Sequence, residues 1–232
     1  LSSFDLSYPF RQGIMVAPRH PKEFFGNIPN MARSFASEEV ATRIDDAIKT
    51  DPTRVMVTQA DGTLQEASLG ALNENMGIIR PLATGQRSAA EEGFLSQIGL
   101  KLPGVKQSSR AFVTYGNKLR ADLAKYWIGH WQNTGVDITP ERLESLGNLL
   151  NRLTGRGTLG RGQAANRVTQ LLQATWWSPQ YRLSGPQAYA QLFNKDPAIR
   201  GIAAQNLAAF VGGGIGLLGL LKASGAAEVD AN

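Results

Sequence analysis

The side chains that could do chemistry in this sequence are few. It has two imidazoles, His20 and His130, and no thiol. A histidine-based metal site would need both imidazoles plus carboxylates brought in from elsewhere. The absence of cysteine excludes disulfides and thiolate ligands and leaves the redox compartment open. The most suggestive local pattern is the glycine–arginine segment at residues 154–162, TGRGTLGRG. It has the look of a phosphate-cradling loop, but such a loop ends in Gly-Lys-Ser/Thr after a strand, and this one does neither. What remains is Arg156 and Arg161 on glycine-flanked backbone, able to touch phosphate or carboxylate. The same letters also read as a helix C-cap followed by a charged linker. Trp176 and Trp177, beside Tyr181, would suit a membrane interface, base stacking or a protein groove, and are read as interface anchors. No nucleophile is paired with a base, so the sequence predicts no catalytic residue, no metal and no cofactor.

The element that must position these groups is a long helix over residues 108–131. Tyr115, Leu119, Leu123 and Trp127 recur every four residues, and Ala111, Phe112, Ala121, Ala124 and Ile128 widen the stripe. Lys118, Arg120, Asp122 and Lys125 fall largely off it, which predicts a wet, mostly basic face. Together with Arg110 this gives five candidate contacts for an anionic partner: Arg156, Arg161, Arg110, Lys118 and Arg120. Thr139 as N-cap, Pro140 and Glu141 open the next helix, with Leu143, Leu146, Leu149, Leu150 and Leu153 inward and an end at Gly155.

Before this pair, residues 1–36 are dense in proline and aromatics and read as an extended or irregular arm with short helical turns. Residues 37–50 read as a helix with Val40, Ile44 and Ile48 buried, and residues 54–69 as a hairpin turning at Asp61–Gly62. Residues 73–86 look like loop, and a capping box starts a short helix at residue 88. After the glycine–arginine segment, residues 163–175 are helical, and Pro186 opens a short helix through Phe193. Asp196 and Pro197 start the last one. It carries no charge between Arg200 and Lys222 and includes Phe210, Gly212, Gly216 and Leu218. Its five glycines between positions 212 and 219 weaken a helix in water. A close-packed core helix, crossing a neighbour at Gly212 and Gly216, and a membrane-inserting segment both fit; burial is the favoured expectation.

The expected fold is mainly α, an irregular bundle of about seven helices. Its divisions are an arm (1–36), a helical and hairpin region (37–107), a bundle (108–222) and a tail (223–232) leading into a longer chain. Charge is uneven: residues 1–100 carry 9 basic and 12 acidic side chains, and residues 101–232 carry 15 and 7. A basic second half favours nucleic acid, anionic lipid or an acidic protein surface.

Several stretches resemble a segment of the large polyvalent proteins of bacteriophages and prophages. They are LSSFDLSYPFRQG, PGVKQSSRAFVTYGNKLRAD, NLLNRLTGRGTLG, WWSPQYRL, DPAIRGIAAQNLAAFVGGG and EVDAN, in that order over most of the chain. Where that family has an asparagine-rich lead-in to TGRG, this chain reads Asn148, Leu149, Leu150, Asn151, Arg152. The resemblance implies a helical module of a virion-packaged chain and carries over no catalytic residue. The function expected from it is structural: an internal or ejection protein, multimeric in the particle, beside portal, tail or other ejection proteins. DNA and, transiently, membrane are further expected partners. Its place would be the capsid interior or the portal or tail conduit, then the host envelope or cytoplasm. The rival expectations are a nucleic-acid-binding module and a non-catalytic part of a giant phage enzyme.

Overall fold

In the computed structural model, residues 13–79, 104–157 and 179–225 are described. The helices expected at 88–98 and 163–175 lie outside them, as do Arg161, Trp176 and Trp177. The chain is mainly helical with one two-stranded antiparallel hairpin.

Helix α1 spans Pro21–Gly26, α2 Ile28–Ala36 and α3 Glu38–Lys49. Within the expected arm, residues 21–36 form two short helices packed on the body. Their prolines sit in the first turn of each, where the missing N–H costs nothing. Ser37 caps α3 by accepting from the Val40 amide. The buried line of α3 is Ala41, Asp45 and Ile48, with Val40 and Ile44 half-buried. Ile48 is buried as expected, and the buried side is widened by Ala41 and Asp45.

Strands β1 (Arg54–Thr58) and β2 (Leu64–Ser68) pair with Arg54 opposite Ser68 and Thr58 opposite Leu64. Val55 and Val57 point into the core. Two strands alone are marginal; this pair is anchored where the Thr58 amide donates to the Ile138 carbonyl (2.8 Å). Helix α4 (Leu69–Asn75) follows directly, capped by Ser68, where the sequence suggested only loop from residue 73.

Helix α5 (Val105–Thr134) is the axis, 30 residues long and bounded by left-handed glycines at 104 and 135. Tyr115, Leu119, Leu123 and Trp127 are all buried, as the spacing predicts. Each buried leucine stabilises by roughly 1.5–3 kcal/mol. Helices α1, α2 and α3 lie against α5 on one side and α6 (Pro140–Leu153) on another. Thr139 caps α6 at the Arg142 amide, and all five expected leucines are buried.

Helix α7 (Pro179–Tyr189) runs into a 3-10 turn at Ala190–Phe193. Pro186 lies inside α7 rather than opening a new helix. Helix α8 (Pro197–Ala223) is capped by Asp196, whose Oδ1 accepts from the Ala198 amide (2.9 Å). The same carboxylate takes two hydrogen bonds from Arg142, at 2.7 and 3.3 Å, and so fixes the root of α8 to α6. Partial burial raises the Asp196 pKa. Hydrogen bonds from Arg142 and the Ala198 amide, the Arg142 charge and the Ile199 amide outweigh that and hold it below the ordinary value.

Candidate functional site

Three of the five cations expected to meet an anionic partner turn inward. Arg120 is 0% exposed and Arg156 only 8%. Their positions follow from two helix ends. At the end of α6, Gly155 adopts φ +82°, its amide donates to the Arg152 carbonyl, and the Arg156 amide donates back to Asn151 (2.7 Å). At the end of α4, Gly77 adopts φ +64°, its amide donates to Glu74, and the Ile78 amide donates to Asn73 (3.1 Å). Both are Schellman turns, which need a left-handed residue and hence favour glycine. They reverse the chain so that the Ile78 carbonyl and the Arg156 side chain arrive at one point beside α5.

There the two guanidiniums share acceptors. Arg120 donates through Nε to the Ile78 carbonyl (3.2 Å), through Nη1 to Thr154 Oγ1 (3.1 Å) and through Nη2 to Asn117 Oδ1 (3.2 Å). Arg156 donates to the same Ile78 carbonyl (3.2 Å) and the same Asn117 oxygen (3.1 Å). Asn117 passes the polarity on, donating to Asp45 Oδ1 (3.2 Å), and Asp45 pairs with Lys49 (2.6 Å). That hydrogen bond to Asp45 leads the causes that raise the Lys49 pKa. The planar five-donor fork of arginine suits such shared geometry, whereas a lysine ammonium does not. Gly147 of α6 lies so close to Met76 that a Cβ there would overlap the Met76 carbonyl oxygen, so the two turns are held in tight register.

Arg110 is also used internally. It donates to the Ser34 carbonyl (2.6 Å) and the Phe35 carbonyl (2.7 Å) at the C-terminal end of α2. It thereby satisfies helix-end acceptors where the dipole favours a cation. Lys118 pairs with Asp122, which also accepts from Asn27 (2.8 Å). The expected wet basic face therefore turns inward at Arg120, and Arg110 and Arg156 likewise make internal connections. Asn117 and Thr154, which lie in segments the resemblance marks without assigning them a role, join this arrangement. The signal was present: Asn117 and Arg120 stand one helical turn apart on one face.

The two histidines, distant in sequence, both meet Trp127, edge-on at 5.6 Å for His20 and 5.8 Å for His130. His20 also stands against Tyr126 at 4.9 Å. Burial, aided by the Arg19 charge, pushes the His20 pKa down to about 4, so its role is that of a neutral ring in the core. Among the described residues no three His, Cys, Asp or Glu side chains are grouped to hold a metal.

The opposite arrangement holds along α8. Its first half is seated by Ile199, Ile202, Ala203 and Asn206. Every residue from 211 to 220 is exposed, including Ile215 at 66% and Leu220 at 70%. Burial of the apolar run in the core, the favoured expectation, is not what the chain does. Leu218 is exposed, Phe210 is half-exposed, and Gly212 and Gly216 have open space where a crossing helix was expected. The reason is geometric: residues 211–220 outrun the body, although Pro18 still lies against Gly213. Among the described residues α8 is the one helix long and apolar enough to cross a membrane. Tyr181 belongs to α7, and its side chain lies outside the description. No family model matches the chain, and no curated protein or solved structure matches it either.

Proposed function

We propose that this chain is a helical structural module of a bacteriophage virion, part of a large internal or ejection-type protein working beside portal, tail or packaged genome. The observation that supports this reading is where the motif residues go. Arg110, Asn117, Arg120, Thr154 and Arg156 lie in the segments that resemble the phage proteins, and all five make internal hydrogen bonds. A pattern used that way preserves a shape rather than a reaction. The nucleic-acid reading rested on the basic second half and on Arg156 and Arg161, and Arg156 is committed inside the fold.

Mass spectrometry of purified virions, compared with ghosts emptied of their genome, tests the proposal. Peptides of this chain in virions and their depletion in ghosts are expected. Their absence from washed virions would refute it.

A further inference from the structure

We propose that residues 211–221 of α8 form a lipid-insertion probe that enters one leaflet of a bilayer while the first half of the helix stays fixed to the body. The argument begins with the circumference. Ten consecutive residues, 211–220, are exposed and apolar, VGGGIGLLGL. At 3.6 residues per turn they cover every side of the helix: Val211, Ile215 and Leu218 on one side, Leu217 and Leu220 opposite, and Gly212, Gly216 and Gly219 between. A protein groove would need one apolar stripe and a polar remainder. Hydrocarbon surrounds a helix, and a helix satisfies its own backbone there.

The length agrees. Ten residues rise about 15 Å, half of a hydrocarbon core about 30 Å thick. A full span would need about 20 residues, and the preceding turns are not available. Ile199, Ile202, Ala203 and Asn206 are buried, and the Arg142–Asp196 pair holds the root. Charge agrees as well. Arg19, exposed, donates to Gln205 Oε1 (3.1 Å), six residues or about 9 Å before the apolar run starts. A cation at that level would meet anionic headgroups. Lys222, just beyond the run, limits the depth: the helix must enter at a slant shallow enough for its long stem to return the ammonium to the headgroups. The proposal does not depend on the virion reading, because it concerns the purified chain and lipid alone.

The test is flotation of the full chain with vesicles of phosphatidylcholine containing about one-third phosphatidylglycerol. The chain is expected to float. Leu218→Asp should reduce binding about tenfold or more while leaving the circular dichroism and Tm unchanged. Since the chain has no cysteine, Ile215→Cys can carry a polarity-sensitive dye, with Thr42→Cys as the control on the body. The Ile215 dye should shift to the blue with vesicles and be quenched by lipids spin-labelled deep in the acyl chain; the Thr42 dye should do neither. Failure to float, equal flotation of Leu218→Asp, or a dye at Ile215 that remains in water overturns the proposal. So does a lipid-indifferent dimer that Leu218→Asp converts to monomer, which would assign the segment to a second copy of this chain.

Discussion

At the junction of α4, α5 and α6 the molecule places two guanidiniums inside; along the outer half of α8 it places leucines outside. The two regions invert the usual distribution, and each is made tolerable differently. The interior arginines are acceptable because two Schellman turns deliver a carbonyl and a hydroxyl to meet them, and Asn117 connects them towards Asp45. The exterior leucines have no such compensation within the described residues. A buried charge with matched partners reads as architecture; an exposed apolar helix reads as a surface awaiting another medium.

The contrast is broken most severely at Arg120. Arg120→Ala leaves Asn117, Thr154 and a buried carbonyl without this donor, and breaking a buried charged network costs about 3–5 kcal/mol. Urea denaturation should show this loss, and Arg120→Lys should recover little of it, because one ammonium cannot reach three acceptors. A cost under about 1 kcal/mol, the median for a surface ion pair, would mean that the site is solvated after all.

A second comparison uses one residue type in both regions. Leu119→Ala, at a fully buried position, should cost about 2–5 kcal/mol.

Acid sharpens the same distinction through His20. Its folded pKa of about 4 lies below the ordinary 6.5, so the unfolded chain takes up a proton first as pH falls. Stability from this group is complete above pH 6.5 and declines towards pH 4, by about 3 kcal/mol at most from linkage. Asp51 and Asp196, whose folded pKa values are lowered, lose their contributions only as pH falls further, below the ordinary carboxylate value. Denaturation at pH 7 and pH 4.5 should show a decline that His20→Gln abolishes; an equal decline in the variant would place the acid sensitivity elsewhere.

The smallest expected change is Leu218→Ala in the absence of lipid. A surface substitution away from packing stays within about 0.5 kcal/mol. A loss comparable with that of Leu119→Ala would show the outer half of α8 to be covered in solution.

What was legible in the sequence was local. The Thr139–Pro140 start, the Asp61–Gly62 hairpin and the four-residue rhythm from Tyr115 to Trp127 each specify their structure within a few residues. What was not legible depends on partners far along the chain. Arg120 reads as surface because it falls off the apolar stripe, yet its acceptors come from Ile78 and Thr154, 42 and 34 residues away. Helix α4 was hidden because Asn73 and Gly77 look like loop residues, although Gly77 is the turn that ends the helix. Burial of α8 was expected because its apolar run is only just long enough to span a bilayer, and length cannot say how far a helix reaches past its neighbours.

The glycine turns also decide where the chain tolerates extra length. Gly62 has a positive φ like Gly77 and Gly155, but it sits at the hairpin tip among residues 60–66, all of which face solvent. An added residue at Gly77 or Gly155 would rotate Ile78 or Arg156 away from Arg120 and Asn117. One added between Asp61 and Gly62 displaces only a solvent-facing loop, and lengthening such a loop costs little entropy, about 0.6 kcal/mol for each doubling. An epitope or small reporter grafted at residues 61–62 should therefore leave the fold intact, so that the chain can be followed by its own hairpin.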